Sequence, residues 1–209
     1  MKRLSILALC LGVVAVQAAS ARAVDIPFSF TAGGGAIPNI GGQTEGISVF
    51  ALTMDPAHSD ILPAPPYPML AGITSLELQL TGLAHTSGGD LDIYLIDPFG
   101  KTLEIMTDRG NGFGINNATL IFNDTAAGPP PENGQIVSGS YLPEGVPGFS
   151  KYIGGSGGTD AWILVVIDDA AGDQGGLASF TLRGTVVPEP VTLSLLALGA
   201  LVFLRRRRA

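Results

Sequence analysis

Through the middle of the chain, short apolar runs alternate with clusters of glycine, proline, asparagine and aspartate. The first segment that reads as a strand is 47–53. Leu76, Leu78 and Leu80 alternate with Ser75, Glu77 and Gln79, the two-residue period of a strand with one buried face. Leu91, Ile93 and Leu95 repeat the pattern. The tetrapeptide Asp97-Pro98-Phe99-Gly100 follows, with proline and glycine where a tight turn uses them. Residues 101–106 then read as the return strand of a hairpin, and 118–122, 136–141, 162–167 and 177–185 bring the set to about eight. The run 162–167 is apolar on both faces, which predicts a central strand. Five prolines between Met54 and Met69 predict an extended loop. No segment between the hydrophobic ends of the chain repeats every 3.6 residues, so the fold class is all-β, a sandwich with many turns.

The two ends differ from this body. Lys2 and Arg3 precede a compact apolar run at 4–16, and Ala21-Arg22-Ala23 supplies the small residues that a signal peptidase reads. Residues 1–23 therefore read as a signal peptide cleaved after Ala23, with Ala19-Ser20-Ala21 as the neighbouring alternative. The one cysteine, Cys10, lies inside that peptide, so disulfides are not expected in the exported chain. At the other end, Val187-Pro188-Glu189-Pro190 stops any regular element, because the prolines fix φ and remove backbone donors. The charge-free run 191–204 follows, about 21 Å long as a helix, against a hydrocarbon core of about 30 Å. Arg205, Arg206, Arg207 and Arg208 then form a stop-transfer cluster, and positive charge stays on the cytoplasmic side. A short C-terminal hydrophobic helix is the expectation, with the body held outside the membrane.

Removing the ends sharpens the charge. Residues 24–187 hold four basic residues against 17 carboxylates, a formal charge of −13. Such a body repels nucleic acid and suits divalent cations, basic partners or plain solubility. Its histidines, His58 and His85, lie beside no recognisable nucleophile motif. Phosphate loops, zinc spacings and dinucleotide fingerprints are absent from the sequence, so no catalytic residue is assigned. The carboxylates are the candidates for a site. Asp90, Asp92 and Asp97 lie along and after one strand, and Asp168, Asp169 and Asp173 follow another. Convergence of those strand ends would gather hard oxygen ligands for calcium, with Asp90, Asp92, Asp168 and Asp173 as the ligand set. The competing reading is a solvated turn whose aspartates cap backbone groups.

Val187-Pro188-Glu189-Pro190, the apolar run and the arginine cluster together resemble the PEP-CTERM sorting tail of Gram-negative bacteria. The resemblance implies processing by an exosortase after transient residence in the inner membrane, and an exopolysaccharide or biofilm setting at the cell surface. A second resemblance spans about 72–185. Gly89-Asp90-Leu91, Pro98-Phe99-Gly100-Lys101-Thr102, Asp124-Thr125-Ala126, Ser138-Gly139-Ser140-Tyr141-Leu142-Pro143-Glu144, the Trp162 strand ending in Asp168, and Gly175-Gly176-Leu177 follow one another in order. This order is similar to the P domain (Homo B domain) of kexin- and furin-like proprotein convertases. It departs from the family at Lys101, inserted before Thr102, and at Thr125, where an acidic residue is usual. The P-domain resemblance implies a jelly-roll β-sandwich of about eight strands, and structural calcium occurs in that family. The implied organisation is a signal peptide at 1–23, an N-terminal strand and proline-rich loop at 24–71, the sandwich at 72–187 and the sorting tail at 188–209. The expected function is that of a non-enzymatic binding or adhesion protein of the cell surface or matrix. The alternative is an accessory P-domain module that binds or stabilises a secreted subtilisin-like serine protease in trans.

Overall fold

The computed structural model describes residues 25–38, 46–53, 72–155 and 161–187. The expected signal peptide with Ala21 and Ala23, the proline-rich stretch with His58, Pro188, Glu189 and Pro190 of the expected sorting motif, and Arg205 to Arg208 lie outside the described residues. Among the described residues no helix is long and apolar enough to cross a membrane.

Nine strands follow in order: β1 (Ile26–Ile37), β2 (Gly46–Thr53), β3 (Ile73–His85), β4 (Leu91–Ile96), β5 (Thr102–Met106), β6 (Ile115–Phe122), β7 (Gly139–Tyr141), β8 (Ala161–Asp168) and β9 (Gly175–Val186). They form a five-stranded sheet in the order β1-β9-β3-β6-β7 and a four-stranded sheet in the order β2-β8-β4-β5. Every pairing is antiparallel except β6 with β7. The chain passes repeatedly from one sheet to the other, so each sheet mixes strands from distant parts of the sequence. The architecture is the all-β sandwich that the alternation predicts.

Two elements depart from the pattern reading. β1 has no counterpart in the expected set, yet it pairs with β9 from Ile26↔Val186 to Ile37↔Gly175. Gly33-Gly34-Gly35 hides it by interrupting the alternation. A Cβ at Gly34 would collide with the carbonyl of Leu177, so the missing side chain is what lets β1 lie against β9. The expected strand 136–141 shrinks to Gly139–Tyr141, because Ile136 is buried in the core ahead of the strand. β1 and β2 both precede residue 72, and each is bonded into a sheet; Ser48 Oγ also donates to the Ala36 carbonyl at 2.9 Å, tying them together.

The inward faces make one core. Phe28, Phe30, Leu78, Leu80, Leu120, Phe122, Phe180 and Leu182 come from the larger sheet, and Leu91, Ile93, Leu95, Leu103, Trp162, Leu164 and Val166 from the smaller. Each such side chain contributes about 1.5–3 kcal/mol by leaving water. β8 is central, between β2 and β4, as its apolar run predicts, but only alternate residues are fully buried. Tyr152 closes one end. Its ring meets Trp162 edge-on at 5.0 Å, and its hydroxyl donates to the Leu95 carbonyl at 3.0 Å.

Turn chemistry follows the sequence closely at the β4–β5 hairpin. The Gly100 N–H donates to the Asp97 carbonyl at 3.0 Å, and Asp97 Oδ1 accepts from the N–H groups of Phe99 and Lys101. Gly100 has φ +81°, a conformation most side chains resist.

Candidate functional site

The polar residues gather at the end of the sandwich where β3 and β8 finish and β4 and β9 begin. β8 turns Trp162, Leu164 and Val166 inward on every second residue, so Asp168, last in that series, is carried into the interior. β3 changes phase at Gly82, where φ is +68° and the register with β6 shifts. Leu76, Leu78 and Leu80 face inward before the shift, and Leu83 and His85 after it. The bulge therefore aims His85 at Asp168.

His85 Nε2 lies 3.5 Å from Asp168 Oδ2, with both side chains wholly buried. The His85 Nδ1 is 2.5 Å from the Ser87 carbonyl, which can only accept, so Nδ1 carries a proton and donates it. Nε2 and Oδ2 face each other across that gap, and among the described residues neither has a hydrogen-bond partner. Asp168 Oδ1 accepts from the Ala170 N–H at 3.3 Å. One ring nitrogen is spent on backbone and the other on a carboxylate, and neither reaches solvent. The base of a catalytic triad, by contrast, needs one nitrogen facing a nucleophile.

The four aspartates expected to share a cation occupy three environments. Asp168 is in the core. Asp90 and Asp173 are neighbours that act on each other electrostatically; burial holds the Asp90 carboxyl above its ordinary range, and the Thr86 hydroxyl holds Asp173 below it. Thr86 Oγ1 donates to Asp173 Oδ1 at 2.5 Å and accepts from the Gln174 N–H at 3.0 Å, strapping the end of β3 to the β8–β9 loop. The Asp169 N–H donates to the Asp90 carbonyl at 3.0 Å. Asp92 sits opposite Ile167 on the outer face of the smaller sheet. Burial, then Asp108, Asp169 and Glu104, push its carboxyl up to about 6. Among the described residues no three histidine, cysteine or acidic side chains are placed to hold a metal ion together. Asp97 serves the hairpin turn described above.

Polar residues of the motifs around Asp124 and Glu144 hold loops. Asp124 accepts from the Phe149 and Ser150 N–H groups, both at 2.8 Å, and so caps the 3-10 turn Gly148–Tyr152. Glu144 Oε2 accepts from the Thr107 N–H at 2.6 Å, while Oε1 takes both Nε and Nη2 of Arg109. Val187, the one residue of the expected sorting motif within the described set, bonds through its N–H to the Gly72 carbonyl at 3.0 Å. His85, with residues such as Ala36, Pro38, Thr86, Asn116 and Gln174, lines an open depression of about 650 Å³.

A feature absent from the sequence reading is the outer face of the smaller sheet. Ile47, Val49, Ile163, Val165 and Ile167 all point away from the core, and Ile47 and Val49 are 56% and 61% exposed. The signal was present in the apolar-on-both-faces run of β8, which accounts for the inner face and leaves the outer one unexplained.

No family model matches the chain, and no curated protein does. Among solved structures, a serine protease of Aeromonas sobria is similar at 15% identity and a TM-score of 0.40, over 81% of this chain and 28% of that one. The complex of that protease with its chaperone is similar at 13% identity and a TM-score of 0.38, over 79% of this chain and 27% of that one. The chain thus spans less than a third of the length of either, and no residue role is carried over from them.

Proposed function

We propose that the sandwich is an exported, non-enzymatic module that works by binding another protein, and that the partner is a secreted serine protease of the subtilisin type. The observation that carries the non-catalytic part is the sealed His85–Asp168 pair, which spends both imidazole nitrogens inside the core. The partner class comes from the P-domain-like motif order, whose polar residues Asp124 and Glu144 stiffen loops and leave the surface to do the binding. A role in a surface or matrix layer containing exopolysaccharide is the second reading, favoured by the Val187-Pro188-Glu189-Pro190 motif and the arginine cluster. Calcium, on either reading, is proposed only as a structural ion at the Asp90–Asp173 pair, the two of the four aspartates that meet.

The test is capture. The exported chain, displayed at the cell surface, is incubated with culture medium of its own producer, and bound material is identified by mass spectrometry and sugar analysis. Recovery of a subtilisin-like protease whose melting temperature rises with added chain supports the accessory role. Recovery of polysaccharide alone supports the matrix role, and recovery of neither overturns both.

A further inference from the structure

The outer face of the smaller sheet has an ordered chemistry. Its strand registers align Ile47 with Ile167, and Val49 with Val165 and Tyr94, so adjacent strands present an unbroken apolar field to solvent. β2 forms one edge of that sheet, and its sequence Gly46–Thr53 carries neither charge nor proline. Edge strands normally use such residues to prevent pairing with foreign chains. The field ends on one side in carboxylates: Asp92 lies in register with Ile167, Glu104 with Tyr94, and Asp108 and Asp169 act electrostatically on Asp92.

We propose that this face is a docking surface for a segment of another protein that carries an apolar stripe with lysine or arginine at one end. Charge complementarity selects this occupant. A second copy of the sandwich meets the face with too few cations: Arg109 is held by Glu144, Arg183 by Glu77 and Gln79, and Lys151 by the Thr102 carbonyl. Lys101 lies in the β4–β5 turn, at the opposite end of β4 from Asp92. An anionic lipid surface would be repelled by the carboxylate end. A polypeptide matches both halves, because its apolar side chains cover the field and its cations reach the acidic end. The inference deepens the binding role proposed above by assigning it a surface and a partner chemistry.

The experiment uses the full chain in phosphatidylcholine nanodiscs and a fluorescent leucine–lysine peptide, about ten residues long to match a strand crossing the sheet, in which leucine alternates with serine and two lysines stand at one end. The expected result is saturable anisotropy with the leucine–lysine peptide and none with a leucine–glutamate peptide of equal length. Val49→Lys, at a position 61% exposed and so expected to leave the melting temperature unchanged, should weaken binding about tenfold or more. Asp108→Asn combined with Glu104→Gln should weaken it several-fold and flatten its salt dependence. Equal binding of the acidic peptide, or binding untouched by Val49→Lys, overturns the proposal. So does self-association, or binding to phosphatidylglycerol vesicles, that Val49→Lys abolishes. Protease capture that survives Val49→Lys sinks the surface and leaves the binding role; peptide binding lost in Val49→Lys without any capture does the reverse.

Discussion

His85 Nε2 and Asp168 Oδ2 meet at 3.5 Å across the interior, from β3 of one sheet and β8 of the other. A polar contact in that place links the two layers where hydrophobic packing would otherwise do so. Its worth lies in each partner compensating the other, since an isolated charge in a core is far costlier than a pair.

Removal of one partner should therefore be severe. Asp168→Ala leaves His85 Nε2 with no acceptor and should destabilise the fold by about 3–5 kcal/mol. The double variant His85→Phe with Asp168→Leu should lose less than the sum of the two single losses, by about 0.5–3 kcal/mol of coupling. Urea unfolding of the parent, Asp168→Ala, His85→Phe, Asp168→Leu and the double variant checks this; strict additivity of the cycle would mean that the two side chains do not act as a pair.

How far that site could be read from the sequence depends on phase. Asp168 continues the inward series Trp162, Leu164, Val166 without a break, so its burial follows from period two alone. His85 does not follow from it. Leu76, Leu78 and Leu80 put even-numbered residues inside, and the bulge at Gly82 is what brings the odd-numbered Leu83 and His85 in after them. A bulge depends on cross-strand register, which a single strand's pattern does not contain. β1 was illegible for a related reason: three consecutive glycines carry no alternation, and their use becomes visible only with Leu177 against them. The expected cation set failed to converge because the strand ends do approach, but alternate residues point to opposite faces, which separates Asp92 from Asp168.

Asp124 caps a turn with both carboxylate oxygens, and Gly148 opens that turn at φ +77°, where a Cβ would collide with Asp124. Asp124→Ala should cost about 1–2 kcal/mol, the range of a lost cap. Gly148→Ala should cost at least as much, since strain from the positive φ adds to the collision. Thermal melting of both variants measures this, and a Gly148→Ala protein as stable as the parent would contradict the geometry.

Glu144 holds Arg109 through one oxygen and the Thr107 backbone through the other. Glu144→Gln keeps the shape but removes the charge from both contacts, with an expected loss of about 1–3 kcal/mol. Hydrogen exchange should locate the loosening at 107–111, the stretch that Glu144 anchors to the loop after β7. Uniform loss of protection across the sandwich would show that Glu144 supports the whole core instead.

Asp92 gives the fold a pH dependence of defined sign. Its carboxyl is raised from 3.8 to about 6, first by burial and then by Asp108, Asp169 and Glu104. A raised acid favours the folded state while protonated, so its contribution is full below about pH 3.8 and fades as pH rises through about 6. Above that range the charged carboxylate sits among like charges on a half-exposed face, where solvent screening limits the penalty to roughly 1 kcal/mol. Asp92→Asn removes that charge and keeps the shape of the side chain and an acceptor oxygen. The variant should therefore be more stable than the parent at pH 8 by up to about 1 kcal/mol and indistinguishable from it below pH 4. Urea titrations at the two pH values decide it, and a stabilisation equal at both would assign the effect to packing instead of charge.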